Sequence, residues 1–187
     1  MKVSIIIPAY NVERHIKKCL TSATKQTLNH SQYEIIVVND FSTDKTPNII
    51  NNFSNKFNNL VIINNNKTLG PGISRNKALQ LSKGKYIFFL DSDDFIDLNA
   101  IEILYKKALR NNADVIGYNF SKVINNKHIT GCRKDINKIT LNKKKIIKNF
   151  LYNEMDGSVI YSFIKKKIIT KNKINFKKGV HEDILFI

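Results

Sequence analysis

Short, almost purely apolar runs alternate with longer segments of mixed polarity along the first 120 residues. The apolar runs predict five buried strands, at residues 3–7, 34–38, 60–63, 86–90 and 115–119. A strand that is apolar on both faces is typical of a parallel sheet covered by helices on each side. The segments between the strands predict helices, at residues 13–27, 46–57, 74–82 and 98–110.

This alternation of strands and helices predicts an α/β domain, with a mostly parallel central sheet flanked by helices. Ligands of such sheets bind beyond the carboxyl ends of the strands. Three of those ends are followed by polar residues: Tyr10-Asn11, Asn39-Asp40 and Asp91-Ser92-Asp93. We therefore expect side chains from three separate segments to converge on one edge of the sheet.

Four acidic residues follow the fourth predicted strand, in the segment 91–97. Clustered carboxylates repel one another unless a cation lies between them. Hard oxygen ligands at this position suit a divalent ion that bridges to the phosphates of a ligand. A solvated acidic turn before the helix at 98–110 explains the same residues equally well, so the segment alone leaves both interpretations open.

Length and composition indicate one globular domain, because the chain has 187 residues, of which 42% are hydrophobic and 25% charged. No apolar run reaches the roughly 18 residues of a membrane span, and the amino terminus lacks a signal-peptide pattern. Cys19 and Cys132 show no metal-ligand spacing and are expected to be free thiols. These features predict a cytoplasmic protein.

The net charge of +16 is concentrated in the second half of the chain. Residues 1–100 carry 12 Lys/Arg against 8 Asp/Glu, whereas residues 101–187 carry 19 against 7. Such a basic half suits nucleic acid, an anionic membrane face or a phosphorylated substrate. Codon bias in an AT-rich genome explains the abundance of Lys, Asn and Ile equally well, so charge does not select a function.

Several function classes have no support in the motifs of the chain. There is no Gly-x-Gly-x-x-Gly after the first strand and no Gly-Lys-Ser/Thr loop, which argues against a dinucleotide site or a P-loop. The basic half also lacks an interleaved aromatic and basic stacking motif, and the predicted edge is acidic. We therefore expect no nucleic-acid partner.

Five blocks of sequence resemble, in order and spacing, the family 2 glycosyltransferases with the GT-A fold, of the kind that builds bacterial surface polysaccharides. The blocks are VSIIIPAYN at 3–11, VNDFSTDKT at 38–46, GISRNKAL at 72–79, GKYIFFLDSDD at 84–94 and HEDILF at 181–186. The resemblance covers essentially the whole chain. It departs from the family at Phe41, where relatives usually have Gly, and at 161–163, where they often have a Trp-x-Lys pattern.

The resemblance implies a site for a UDP-sugar donor. In similar enzymes Pro8 and Tyr10 line the base pocket, Tyr10 offering a flat surface to the ring. The counterpart of Asp40 accepts a hydrogen bond from the imide nitrogen of uracil. The structural alternatives are that Tyr10 is a core residue and that Asp40 only caps a turn.

The remaining donor contacts come from the third and fourth blocks. Arg75 is expected to face the nucleotide with charge-assisted hydrogen bonds, unless it is a surface residue of its helix. Asp91 and Ser92 are expected beside the nucleotide, Asp91 reaching toward the ribose and the metal. Asp93 is expected to bind Mn²⁺ or Mg²⁺ against both phosphates, with Asp94 in a supporting position.

The prediction of an acceptor site depends on the last block, at residues 181–186. Asp183 matches the general base of inverting family members, and Glu182 beside it is a candidate for acceptor binding. The resemblance treats residues 1–187 as one domain, in which about 1–97 binds the nucleotide-sugar and about 98–187 binds the acceptor. Because the chain ends within an apolar pattern, we expect it to be truncated at the carboxyl terminus.

Together these features predict a metal-dependent, inverting transferase that moves a sugar from a UDP-sugar to a glycan or lipid-linked glycan acceptor. The basic second half is consistent with peripheral contact with an anionic membrane at the inner face of the cell membrane. The alternative is a non-catalytic remnant that binds nucleotide-sugar or a partner protein.

Overall fold

A six-stranded sheet forms the middle layer of the molecule in the computed structural model, which describes residues 1–124, 127–131 and 159–177. The strands are β1 (Val3–Ala9), β2 (Tyr33–Asn39), β3 (Leu60–Asn64), β4 (Tyr86–Phe89), β5 (Val115–Gly117), β6 (Phe120–Ile124), β7 (Lys127–Gly131) and β8 (Ser162–Lys165). The helices are α1 (Ile16–Thr24), α2 (Thr46–Ser54), α3 (Pro71–Leu81), α4 (Ala100–Arg110) and α5 (Lys166–Lys171). Short 3₁₀ turns lie at His30–Gln32 and Val159–Tyr161.

The strand order in the large sheet is β3-β2-β1-β4-β8-β5. The first four strands are parallel to one another, and β8 is antiparallel to both β4 and β5. Strands β6 and β7 form a separate antiparallel pair. The predicted α/β fold with a mostly parallel sheet is therefore confirmed.

Helices cover both faces of the large sheet and bury two apolar clusters. On one face α1, α2 and α4 pack against side chains such as Ile5, Ile35 and Phe88. On the other face α3 and α5 pack against Ile6 and Phe89. Adjacent residues of one strand thus contribute to opposite clusters, which explains why β1, β2 and β4 are apolar throughout.

Helix α3 begins at Pro71, three residues before the predicted start. Proline is well suited to the first turn of a helix, because its missing N–H has no partner there. The preceding Gly70 has a φ of 89°, which a residue with a side chain rarely adopts. The Gly-Pro pair therefore fixes the point at which the chain turns from the sheet edge into α3.

At Gly84, two residues before β4 begins, the chain passes very close to the backbone of β1. A Cβ atom at this position would lie 2.3 Å from the backbone nitrogen of Ser4. The Gly84 amide donates to the Ser4 hydroxyl at 2.8 Å, and that hydroxyl donates to Glu34 at 2.5 Å. The glycine therefore lets the chain enter β4 tightly against β1.

The structure contains three strands that the sequence did not predict, and its first helix is shorter than predicted. Strand β8 was not predicted, and the β6–β7 pair occupies part of the polar stretch at 122–142, in which the sequence predicts no strand. The first helix is Ile16–Thr24 rather than 13–27, because a turn with a hydrogen bond from His15 to the Val12 carbonyl precedes it. The sequence pattern also favours a helix at 143–152, a range that lies outside the described residues. None of the helices in the described ranges is long and apolar enough to cross a bilayer.

Candidate active site

The carboxyl edge of the sheet gathers most of the predicted site residues. Strands β2, β1 and β4 are neighbours, so the segments that follow them leave the sheet side by side. The pairing of β1 with β2 continues past the strands, since the Asp40 amide donates to the Ala9 carbonyl at 2.8 Å. Tyr10 and Asp40 therefore emerge next to each other, with Asp91 following the adjacent β4.

Tyr10 and Pro8 occupy different environments at this edge. Tyr10 is 48% exposed, so its ring is free of the core and accessible to a ligand. The interpretation of Tyr10 as a core residue is therefore wrong. Pro8 lies within β1, is buried, and pairs in register with Val38 of β2.

Asp40 is almost fully buried, with 2% of its surface exposed, and its carboxylate holds the loop between β3 and α3. One oxygen accepts from the Asn65 side-chain amide at 2.6 Å and from the Leu69 amide at 2.9 Å. The other oxygen accepts from the Gly70 amide at 2.8 Å and from Leu69 at 3.1 Å. The structural alternative, in which Asp40 ties down a turn, describes these contacts, and contact with a base stays a prediction.

Asn65 links Asp40 to helix α3 and was not identified from the sequence. Its side-chain amide donates to the Ser74 hydroxyl at 3.1 Å, and its oxygen accepts from the Lys77 ammonium at 2.6 Å. The residue is 5% exposed, so both ends of the amide are satisfied inside the protein. Asn65 therefore couples the position of α3 to the end of β2.

Arg75 projects from α3 to the segment after β4. Its guanidinium donates to the Asp91 carboxylate at 2.6 Å, and it lies 5.3 Å from the centre of the Phe176 ring. Only 3% of Arg75 is exposed, so the interpretation as a surface residue is wrong. The ion pair joins α3 to the acidic segment and places the guanidinium against one of its carboxylates.

The acidic segment turns sharply after β4. The Asp94 amide donates to the Asp91 carbonyl at 3.1 Å, Ser92 is buried, and Asp93 is exposed. Partial desolvation, followed by the charges of Asp93 and Asp91, raises the pKa of Asp94 to about 6. The three carboxylates therefore lie close enough to repel one another, although Asp94 as a whole residue is exposed.

A buried thiol lies under this turn. The Cys19 Sγ lies 3.6 Å from the Asp91 carbonyl oxygen, to which it donates a weak hydrogen bond. Burial, and then the charges of Asp94, Asp91 and Asp93, raise the pKa of the Cys19 thiol well above its usual range. The thiol therefore stays protonated and uncharged, and it packs against the acidic segment as a small apolar side chain.

The carboxylates of the acidic segment fit a divalent cation that takes most of its ligands from water and from the phosphates of a bound molecule. Asp93 and Asp94 offer hard carboxylate oxygens, while Asp91 is engaged by Arg75. Within the ranges that the structure describes, no group of three or more His, Cys, Asp or Glu side chains surrounds one point. Mg²⁺ is often held by one or two carboxylates together with phosphate oxygens and water, and such a site needs no larger protein cluster.

The loops after β1 and β2 are fastened to each other by hydrogen bonds. The Asn11 side chain accepts from the Thr43 amide at 2.8 Å, and the Glu13 amide donates to Asp44 at 3.0 Å. Despite slight desolvation, hydrogen bonds from Thr46 and Glu13 lower the pKa of Asp44. These contacts fix the loop after β1, which carries Tyr10, against the loop after β2.

Phe41 lies in this loop with an unusual backbone. Its φ is 65°, in the left-handed region that glycine prefers, and its ring is 51% exposed. The side chain that replaces the usual glycine is therefore accommodated by projecting into solvent at the site edge. Glu182 and Asp183 lie outside the described residues.

Comparison with known proteins agrees with this geometry. The profile of Glycosyl transferase family 2 matches residues 4–172. The poly(ribitol-phosphate) beta-N-acetylglucosaminyltransferase TarP of Staphylococcus aureus is 32% identical over 196 residues, covering 99% of this chain and 56% of TarP. The poly(ribitol-phosphate) beta-glucosyltransferase of Bacillus spizizenii is 43% identical over 116 residues, covering 62% of this chain and 18% of that enzyme. The chain thus spans only part of the length of these relatives.

Solved structures give the same result. The crystal structure of residues 1–349 of S. aureus TarS in complex with UDP has a TM-score of 0.83 and 29% identity, and it covers 100% of this chain and 54% of that one. The corresponding complex with UDP-GlcNAc has a TM-score of 0.82. The family profile, the relatives and the shared architecture together show that this chain belongs to the family 2 glycosyltransferases and has their GT-A fold.

Proposed function

We propose that this chain transfers a sugar from a UDP-sugar to a glycan or lipid-linked glycan acceptor of a bacterial cell surface. The observation that carries the proposal is the convergence of Tyr10, Arg75 and the acidic segment 91–94 on one sheet edge. The same fold at 29% identity binds UDP and UDP-GlcNAc in TarS. TarP and its B. spizizenii relative support a polymeric surface glycan as acceptor.

The exposed ring of Tyr10 is suited to stack on the uracil base. Aromatic stacking on a nucleobase contributes about 1–3 kcal/mol and needs a ring that is accessible but firmly supported. The support comes from the clamped loops, through the Asn11 to Thr43 and Glu13 to Asp44 contacts. Pro8 shapes the strand below the ring, and Ser92 is the buried residue of the turn across the edge.

Asp40, beside the amino end of α3, and Arg75, within α3, would both contact the nucleotide. The Asp40 carboxylate accepts four hydrogen bonds from three protein donors, because the Leu69 amide is shared between both oxygens, so a base N–H would take the place of one of the Leu69 bonds. Arg75 is held by Asp91 at 2.6 Å, so its charge is fixed close to where a diphosphate would lie.

A divalent cation, Mn²⁺ or Mg²⁺, is proposed at Asp93, with Asp94 beside it. When bound, the ion would neutralise charge that develops on the departing diphosphate. The residues of the chain position the nucleotide around it and keep the acidic segment in its turn. By resemblance, Asp183 is proposed to accept the proton of the acceptor hydroxyl, and Glu182 to contact the acceptor.

The direct test is calorimetric titration of UDP into the protein with and without Mn²⁺. Asp93→Ala is compared with Asp97→Ala, a matched control because Asp97 belongs to the same acidic run and is also exposed. We expect metal-dependent binding in the wild type and the control, and its loss in Asp93→Ala. A folded wild-type protein that binds no UDP would refute the donor site.

Activity is tested separately from binding. Wild type and Asp183→Asn are assayed for transfer from a panel of UDP-sugars to surface-glycan acceptors. We expect Asp183→Asn to keep UDP affinity and to lose turnover, because only the general base is removed. Tight UDP binding without turnover by the wild type would instead favour a non-catalytic, nucleotide-sugar-binding protein.

A further inference from the structure

Helix α5 and the segment after it form a surface strip on the α3 face of the sheet. The Lys166 amide donates to the Lys85 carbonyl at 2.9 Å, and the Lys166 ammonium donates to the Ser82 carbonyl. Further along, the Asn76 amide donates to the Phe176 carbonyl at 2.9 Å, and the Phe176 N–H donates back to Asn76 at 2.9 Å. The strip therefore runs beside α3 from the amino edge of the sheet toward its carboxyl edge.

This strip is strongly cationic. The segments 65–85 and 159–177, which contain it, hold five and six Lys or Arg residues and no Asp or Glu. We define the basic face by its exposed lysines: Lys83, Lys85, Lys167, Lys171, Lys173 and Lys177. The opposite side of the sheet is mixed in sign, as the 2.6 Å ion pair of Lys106 with Glu102 on α4 shows.

The carboxyl end of the basic face reaches the active site. Phe176, next to Lys177, lies under Arg75 with 5.3 Å between its ring centre and the guanidinium. Arg75 in turn pairs with Asp91 at 2.6 Å. A ligand lying along the face would therefore lead to the edge where the donor is proposed to bind.

The basic face presents charge without apolar anchors. Segment 159–177 has no strongly exposed large apolar side chain among its described residues, because Ile169 and Phe176 are buried against the sheet. Leu81, 59% exposed at the end of α3, is a single leucine next to the face. Protein segments that lie in a membrane interface bury an apolar face among the lipid headgroups. The chemistry of this surface therefore favours a dissolved polyanion over a bilayer.

We propose that the basic face binds an acceptor polymer with repeating phosphodiester charges and guides it to the active site. This inference rests on the proposed function and adds to it the chemical class of the acceptor and the surface that holds it. Successive lysines along α5 and the following segment would each contact a phosphate, releasing a counterion. TarP and the B. spizizenii enzyme, both named for poly(ribitol-phosphate), show that relatives use an acceptor of this class.

The test compares two triple variants that remove the same charge. Lys167→Gln, Lys171→Gln and Lys173→Gln neutralise the basic face. Lys17→Gln and Lys107→Gln neutralise exposed lysines on α1 and α4, and Lys25→Gln neutralises an exposed lysine directly after α1. Binding of a poly(ribitol phosphate) oligomer is measured over a series of salt concentrations, with neutral dextran as the uncharged polymer.

We expect the basic-face variant to bind the oligomer at least about tenfold more weakly at low salt, and the control variant to bind like wild type. The slope of log K against log salt should fall by about 2 in the basic-face variant, since each lost phosphate contact removes about 0.7. Equal losses in both variants would overturn the proposal, because they would indicate diffuse charge attraction. Dextran binding equal to oligomer binding would overturn it too.

Two further arms identify the partner and separate the two proposals. If phosphatidylglycerol vesicles bind the wild type but not the basic-face variant, and the oligomer binds neither, the surface contacts membrane and the proposal is wrong. UDP titration is run on the same proteins, and we expect equal UDP affinity in all three. Loss of UDP binding everywhere with intact oligomer binding would overturn the proposed function alone.

Discussion

The buried carboxylate of Asp40 offers the sharpest test of how this sheet edge is built. Replacing Asp40 with Asn keeps its shape but exchanges one acceptor oxygen for an N–H₂ group. If the amide oxygen stays with Asn65 and Leu69, the new N–H₂ group replaces the oxygen that accepts from the Gly70 amide at 2.8 Å in the wild type. Two donors then face each other. In the opposite orientation the N–H₂ group faces two donors, the Asn65 side-chain amide and the Leu69 backbone amide, so the loss of stability is larger.

The expected loss in the free energy of unfolding is about 2–4 kcal/mol. A hydrogen bond to a charged group contributes about 1.5–3 kcal/mol, and a buried amide left without an acceptor adds to the loss. The measurement is urea unfolding followed by far-ultraviolet circular dichroism and extrapolated to water. Asp97→Asn makes the same chemical change at an exposed position and should shift stability by less than about 0.5 kcal/mol.

Equal stability of Asp40→Asn and Asp97→Asn would refute this reasoning. It would mean that the three donors around Asp40 are satisfied by water as well as by the carboxylate. The loop between β3 and α3 would then be held by other contacts, and Asp40 would be free to serve a ligand alone.

Three further changes separate stability from binding. Gly84→Ala should destabilise the protein by about 3 kcal/mol or prevent folding, because the added Cβ would lie 2.3 Å from the Ser4 backbone nitrogen; thermal unfolding measures this. Phe41→Gly should be more stable than Phe41→Ala by about 1 kcal/mol in urea unfolding, since both remove the ring and only Gly relieves the φ of 65°; equal stabilities would contradict the inferred strain. Tyr10→Ala should leave the unfolding temperature nearly unchanged and weaken UDP about 5- to 150-fold by calorimetry, through loss of about 1–3 kcal/mol of stacking; unchanged affinity would exclude Tyr10 from the base pocket.

The strands that are covered on both faces were predictable from the sequence, whereas β8, which lies between β4 and β5, was not. Strands β1, β2 and β4 are runs of apolar residues, and the observed ends lie within two residues of the predicted ones. Strand β8 has four residues, of which only Phe163 and Ile164 are apolar. Its pairing with β4 joins positions far apart in the chain, and no local pattern reports such a contact.

The grouping of site residues was predictable because it follows from strand order, whereas their contacts depend on loops. Tyr10, Asp40 and Asp91 follow strands that are neighbours in the sheet, so the rule for parallel sheets places them together. Asn65 stands within the run Asn64 to Asn66, and nothing in three identical residues marks the middle one as the buried link. Its role emerges only from the path of the loop that Asp40 holds.

The position of β8 between β4 and β5 also sets an order of events during biosynthesis. A ribosome adds about 5–20 residues per second, so the 76 residues from the end of β4 to the end of β8 require about 4–15 seconds. Until β8 has been synthesised, Tyr86 to Phe88 lack their native partner strand on that side, and Tyr86 lacks the Phe163 ring that stacks on it at 4.9 Å in the folded protein. An exposed apolar edge of this kind can pair with another nascent chain. Slow translation of the second half should therefore lower the yield of folded protein, and a chaperone that shields β4 should restore it.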